Sequence, residues 1–328
     1  MKRLSNKAMR NQSPDISFPL QLSIDLTGLC GLNCVYCYAQ PFSKQTIAAN
    51  KAIEILSLAK ERGAFVIKIA GGEPLLHPQF IEILDFIIEN NIHVAVLSSL
   101  AVSKRIALHT AKMLSGINHI DFQVSLDSIR PEINDITRGK TKQVLDNISL
   151  FLEQNIDLQI ASVIAEQNID YLIEIVDFFY PRVRRFHFMN VMPSIKVACN
   201  DGMLDLTPHA SKKNQFWKTL LSKYGNKIIT NPPTARQCTD EQVFSFQGCS
   251  AGHLLCVIDS TLDVIACNMA KTFVLGNLND NTFDEIWNSP TASRIRATTT
   301  PLCHTYVSDT TKQSLADKKS LHLGGEFL

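Results

Sequence analysis

The sequence predicts an α/β fold: a TIM-like partial barrel of six βα units, (β/α)6, followed by a small C-terminal α+β part. Three observations predict it. From about residue 18 to 190, short runs rich in β-branched residues alternate with longer amphipathic stretches. Strands separated by helices pair in parallel through right-handed crossovers. The alternation stops after residue 195, and six units suit an open barrel better than a closed ring of eight.

The strand candidates follow in order: LQLSIDL (20–26), FVIKIA (65–70), IHVAVLS (92–98), HIDFQVSL (119–126), LQIASVI (158–164) and RFHFMNV (185–191). TIAANKAIEILSLAKERG reads as a helix closed by Gly63, and HPQFIEILDFIIENN as one entered through Pro78. A helix over 209–224 leads into NPPTARQ, whose paired prolines read as a linker. HLLCVID and DVIACNM flank Ser260 and Thr261 as a hairpin, and DNTFDEIWNSP supplies a short capped helix. The chain thus divides into a tail (1–17), the barrel (18–195), a helix and linker (196–235) and the C-terminal part (236–328).

A formal charge of +1 over 328 residues gives no electrostatic reason to expect nucleic acid or an anionic membrane as partner. The basic N-terminus is followed by no apolar signal region, and no apolar run is long enough to cross a bilayer. A cytoplasmic, reducing location follows. There the nine cysteines read as metal ligands or reactive thiols rather than disulfides. They fall into two groups, Cys30 to Cys37 and Cys238 to Cys303, with Cys199 between them.

The loop after the first strand reads LTGLCGLNCVYCYAQ and carries Cys30, Cys34 and Cys37. Thiolates so spaced hold zinc or an iron–sulfur cluster. Structural zinc takes a closed set of four donors, whereas three cysteines on a four-iron cluster leave one iron open to a substrate or cofactor. The second strand ends in IAGGEPLLHP, so Gly71, Gly72, Glu73 and Pro74 share the rim where a barrel's βα loops converge.

CxxxCxxC followed one unit later by GGEP resembles the radical S-adenosylmethionine (SAM) superfamily over residues 18–195. The resemblance implies a SAM-binding 4Fe-4S cluster on Cys30, Cys34 and Cys37, with Tyr36 beside the adenine. It implies that Gly71, Gly72, Glu73 and Pro74 bind the methionine amino group. Ser125 and Asp127, in VSLDS, match the ribose and carboxylate contacts, and Arg138 matches the arginine that pairs with the SAM carboxylate. The third strand departs from the family, ending in LSSLA where a Thr-Asn-Gly turn is usual.

GCSAGHLLCVIDSTLDVIAC resembles the auxiliary-cluster extension called SPASM in its long form and Twitch in its short form, with Leu262 where a turn glycine is common. That implies one auxiliary 4Fe-4S cluster on Cys249, Cys256, Cys267 and Cys303, with Cys238 the substitute for Cys256 and His304 a further candidate. The resemblance further implies cleavage of SAM to a 5′-deoxyadenosyl radical and hydrogen abstraction from a substrate carbon. The reduction would come from an external one-electron donor such as flavodoxin or ferredoxin. A ribosomally made peptide, oxidised by crosslinking or dehydrogenation, is the first substrate reading. A dehydrogenase or epimerase of a small sugar or alcohol is the second, with Cys199 as hydrogen donor if the outcome is epimerisation. A non-catalytic zinc-binding protein is the reading from another class.

Overall fold

A computed structural model describes residues 16–39, 43–183, 185–192, 206–225, 228 and 250–297. Six parallel strands follow the expected order: β1 (Gln21–Thr27), β2 (Val66–Gly71), β3 (Val94–Ser98), β4 (Ile120–Ser125), β5 (Leu158–Ile164) and β6 (Arg185–Asn190). Each begins or ends within two residues of its expected bound. The intervening helices are α1 (Ala49–Glu61), α2 (Phe80–Glu89), α3 (Lys104–Leu114), α4 (Pro131–Thr137), α5 (Thr141–Glu153) and α6 (Leu172–Phe179).

Alternation along the strands sorts their two faces. Leu22, Ile24 and Leu26 of β1 and Ile67 and Ile69 of β2 are buried in the core that also takes in Ala52, Leu56, Ile83 and Leu84 of the helices. The opposite face carries Ser23 and Asp25, and the register sets Lys68 beside Ser23. On this same face Gln123 pairs with Gln159, and Ala161 with His187.

The sheet must curl. With strands about 4.8 Å apart, β2 and β6 would lie roughly 19 Å apart in a flat sheet. Yet Lys68 is close enough to add to the depression of the His187 pKa, whose main cause is burial. The polar face is therefore the concave one, as in a partial barrel.

After α7 (Ala210–Tyr224), the hairpin of β7 (Leu255–Ile258) and β8 (Asp263–Ile265) forms where expected. Unexpectedly, β7 pairs in parallel with β1, so that one nine-stranded sheet runs β6-β5-β4-β3-β2-β1-β7-β8-β9. The last strand, β9 (Val274–Asn277), was not expected either. The short helix is α8 (Phe283–Trp287), and its capping box pairs Thr282 with Glu285. Trp287 Nε1 donates to the Ile16 carbonyl at 2.7 Å, and Phe283 packs on Phe18, which fastens α8 to the approach to β1. The chain ends its described course in α9 (Pro290–Ala297).

Candidate active site

The cysteine loop and the GGEP turn are one hydrogen-bonded unit. Gly72 N–H donates to Thr27 O and Glu73 N–H to Leu29 O, both at 2.7 Å. A Cβ on Gly72 would lie 2.2 Å from Leu29 O, and one on Gly71, at φ 129°, would lie 2.5 Å from Thr27 O. The two glycines are needed because the cysteine loop itself passes that closely. The loop is held on its other side where Val35 N–H donates to Thr137 O at 3.0 Å.

Cys30, Cys34 and Cys37 are thiols outside any disulfide. Burial pushes the Cys30 thiol up to about 11, and it also raises Cys34 against the opposing pull of Arg138. Bare, Cys30 would stay protonated, and a bound metal centre would supply the charge that reverses this. Cys34 and Cys37 both lie close enough to act on the Cys30 thiol, and a cubane takes each thiolate on a different iron. The donor set fits an iron–sulfur cluster.

Glu73 is fully buried beneath the loop. One carboxylate oxygen accepts from Ser98 Oγ at 2.7 Å and Leu75 N–H at 3.2 Å, and the other from Ser99 N–H at 2.8 Å and from Ser99 Oγ. Burial raises its pKa, and these four donors oppose the rise. Sequence reasoning set Ser98 and Ser99 aside because LSSLA departs from the usual turn. They prove to be the groups that hold Glu73. At this turn Leu100 adopts φ 54°, a left-handed conformation that glycine would take freely, while its side chain is fully buried.

Asp127 is a second buried hub. Its Oδ2 accepts from the Tyr36 hydroxyl and from Thr137 Oγ1 at 2.9 Å, and its Oδ1 from Val163 N–H at 3.0 Å. Arg138 Nε lies 3.0 Å from Oδ1 without the alignment of a hydrogen bond, and the guanidinium sits 5.3 Å from the Tyr36 ring. Burial would lower the Arg138 pKa, but Asp127, Tyr36 and Cys34 outweigh it and hold the guanidinium charged. Asp127 was expected at a SAM contact; in the structure its two oxygens take donors from the protein and lie against Tyr36 and Arg138. Ser125 ends β4 half-buried on the concave side.

The second cysteine group is partly described. Cys267 follows β8 at the rim, half-buried, and lies near the phenol of Tyr38, whose pKa burial and surrounding anionic groups drive well up. Cys256 was expected among the auxiliary ligands. It pairs in register with Leu22, on the helix-covered face of the sheet, and is wholly enclosed in the core, where burial alone drives its thiol far up. A thiolate there would face hydrocarbon, the setting of an inert packing cysteine. Cys199, Cys238, Cys249, Cys303 and His304 lie outside the described residues.

The Glu73 cage gives one prediction. Glu73→Ala is expected to weaken SAM binding by roughly 1.5–3 kcal/mol, the worth of a charge-assisted hydrogen bond. Titration calorimetry on the reconstituted protein measures it, and unchanged affinity would reduce Glu73 to a turn residue.

Comparison with known proteins follows this geometry. The radical SAM superfamily model matches residues 24–179, and the SPASM iron–sulfur cluster-binding domain matches 249–305. Mycofactocin maturase MftC of Mycolicibacterium smegmatis is 28% identical over 282 residues, covering 82% of this chain and 70% of the relative. The subtilosin biosynthesis protein AlbA of Bacillus subtilis is 23% identical over 307 residues, covering 89% of this chain and 66% of the relative. The crystal structure of SuiB from Streptococcus suis bound to S-adenosylmethionine superposes with a TM-score of 0.71 at 20% identity, covering 88% of this chain and 70% of that one. No helix among the described residues is long and apolar enough to cross a membrane. With a three-thiol loop on the first strand, a glycine–glutamate turn bonded to it and matches to both family models, the chain belongs to the radical SAM superfamily and carries a SPASM iron–sulfur domain.

Proposed function

We propose that this enzyme oxidises a carbon of a ribosomally made peptide. The observation that carries the reading is the extent of the similarity to a maturase, which takes in 82% of the chain and so both the barrel and the C-terminal hairpin. A relative named for bacteriocin biosynthesis and a neighbour in fold solved with its precursor peptide support it further.

In this reading Cys30, Cys34 and Cys37 hold the SAM-binding cluster, and Cys249, Cys267 and Cys303 contribute to the auxiliary one. When bound, SAM and its cluster supply a 5′-deoxyadenosyl radical that removes hydrogen from an unactivated carbon, and the auxiliary centre supplies an electron acceptor. The chain's own residues bind and orient. The segment Gly71, Gly72, Glu73 and Pro74 receives the methionine amino group. Arg138, a buried cation whose Nε–H lacks an aligned acceptor, receives the carboxylate. Tyr36, fixed by Asp127, walls the adenine side, and Ser125 faces the ribose. An external one-electron carrier of the flavodoxin or ferredoxin class supplies the reducing equivalent.

The test uses anaerobically reconstituted enzyme, SAM, a reductant and a synthetic peptide encoded by a short reading frame beside its gene, in heavy water. The expected product is lighter by two hydrogens. Gain of one deuterium with no other change would mean epimerisation and would direct attention to Cys199.

A further inference from the structure

Asp25 is a buried carboxylate that none of the roles above uses. It stands on the concave face of β1, beside Ala70 in register, five residues before the first cysteine. Its Oδ1 is buried and accepts no hydrogen bond. A bare carboxylate oxygen inside a protein is costly, and structures retain such groups mainly where a ligand or a reaction uses them.

Three chain segments meet around it. From the cysteine loop comes Tyr38, whose phenol is hydrogen-bonded to Asn268 and feels both Cys37 and Cys267. From the segment after β8 comes Lys271, whose ammonium lies 5.9 Å from the Tyr38 ring. From the end of β7 comes Asp259, whose Oδ1 is engaged by the Thr261 and Asp263 amides. Lys68 and His187 share the concave face on β2 and β6. Asp25 thus lies on the concave side of the sheet, close to Lys271 and Asp259 and to Tyr38, on which a cysteine of each group also acts.

We propose that Asp25 is the proton acceptor of the oxidation, with Lys271 and the Tyr38–Asn268 pair forming the polar wall that keeps its free oxygen turned to the substrate. The inference rests on the peptide-oxidation reading. The balance is as follows. The substrate carbon first gives up a hydrogen atom to the deoxyadenosyl radical, which leaves a carbon radical next to an N–H, O–H or C–H group. Completing the two-electron oxidation removes one electron, for which an iron–sulfur centre held by the SPASM domain would be the acceptor, and one proton. That proton passes from the neighbouring group to Asp25 Oδ1 while the new bond forms at the carbon. Burial, the largest influence, raises the Asp25 pKa to about 7, with Lys271 opposing and Asp259 assisting. A carboxyl that changes protonation state near neutrality suits a residue that takes up a proton and releases it each turnover.

Asp25→Asn keeps the volume and removes the base. Two measurements on the holoenzyme test it. Infrared difference spectra between about pH 6 and about pH 8.5 should contain a carboxylic-acid C=O band that is absent from Asp25→Asn. With the synthetic peptide, the ratio of oxidised peptide to deoxyadenosine should fall tenfold or more in Asp25→Asn. In the wild type that ratio should rise with pH through neutrality, since the ionised form is the acceptor. Lys271→Met should move the midpoint of the rise to higher pH, because it removes the cation that opposes protonation. A merely structural role for Asp25 would not produce that shift. A carboxyl band that does not titrate near neutrality, or a product ratio unaffected by Asp25→Asn, overturns the inference alone. Wild-type enzyme that makes deoxyadenosine but never oxidises the peptide overturns the function proposed above with it.

Discussion

Replacing any one of Cys30, Cys34 or Cys37 by alanine is expected to abolish deoxyadenosine formation and to lower the iron content by about four per chain, on the basis of a four-iron cluster. The loop should outlast the loss of a thiol, because its path is fixed by backbone bonds of Gly72, Glu73 and Val35 rather than by the cysteines. Circular dichroism should therefore change little while the visible absorption of the cluster falls. Normal deoxyadenosine production in any of the three variants would refute the ligand assignment. The same three changes separate this reading from structural zinc, for which neither iron nor SAM cleavage would respond.

The second large effect concerns the Asp127–Arg138 pair, whose side chains are almost wholly removed from solvent. Removing one partner of a buried ion pair strands the other and costs about 3–5 kcal/mol. Arg138→Leu is expected to destabilise the protein by this order in denaturant melts and to abolish measurable SAM binding. If Arg138→Leu melts like the wild type, the pair is not the hub of the rim described here.

Strands and cysteines were legible in the sequence because each leaves a local signal. The β-branched runs bounded by helical periodicity located all six barrel strands, and the spacing of Cys30, Cys34 and Cys37 together with Gly71–Pro74 marked one rim. What stayed hidden is non-local. Nothing in LCVI says that Cys256 lies beside Leu22, over two hundred residues earlier in the chain, and it is this pairing that encloses it in the core. Ser98 and Ser99 looked like a broken turn because their value lies in reaching Glu73 from the neighbouring strand. Leu100 and Leu262 occupy positions where the family favours glycine, and both keep a left-handed backbone, at φ 54° and 68°. Residue type at a single position understated what the surrounding hydrogen bonds enforce: Asn147 Nδ2 donates to Leu100 O, and Leu278 N–H donates to Leu262 O, both at 2.9 Å.

The placement of β7 against β1 bears on how the chain is made. On a ribosome β1 emerges early and finds β2 within forty or so residues, but its other edge keeps unpaired amides and carbonyls until Leu255–Ile258 has been synthesised. An open edge of that kind invites pairing with other chains, and a contact spanning so much sequence closes slowly. During that interval the nascent protein carries its cysteine loop on a half-paired strand. Delivery of metal before release from the ribosome would meet an unfinished rim, so chaperone protection first and cluster insertion second is the order of biogenesis that this topology favours.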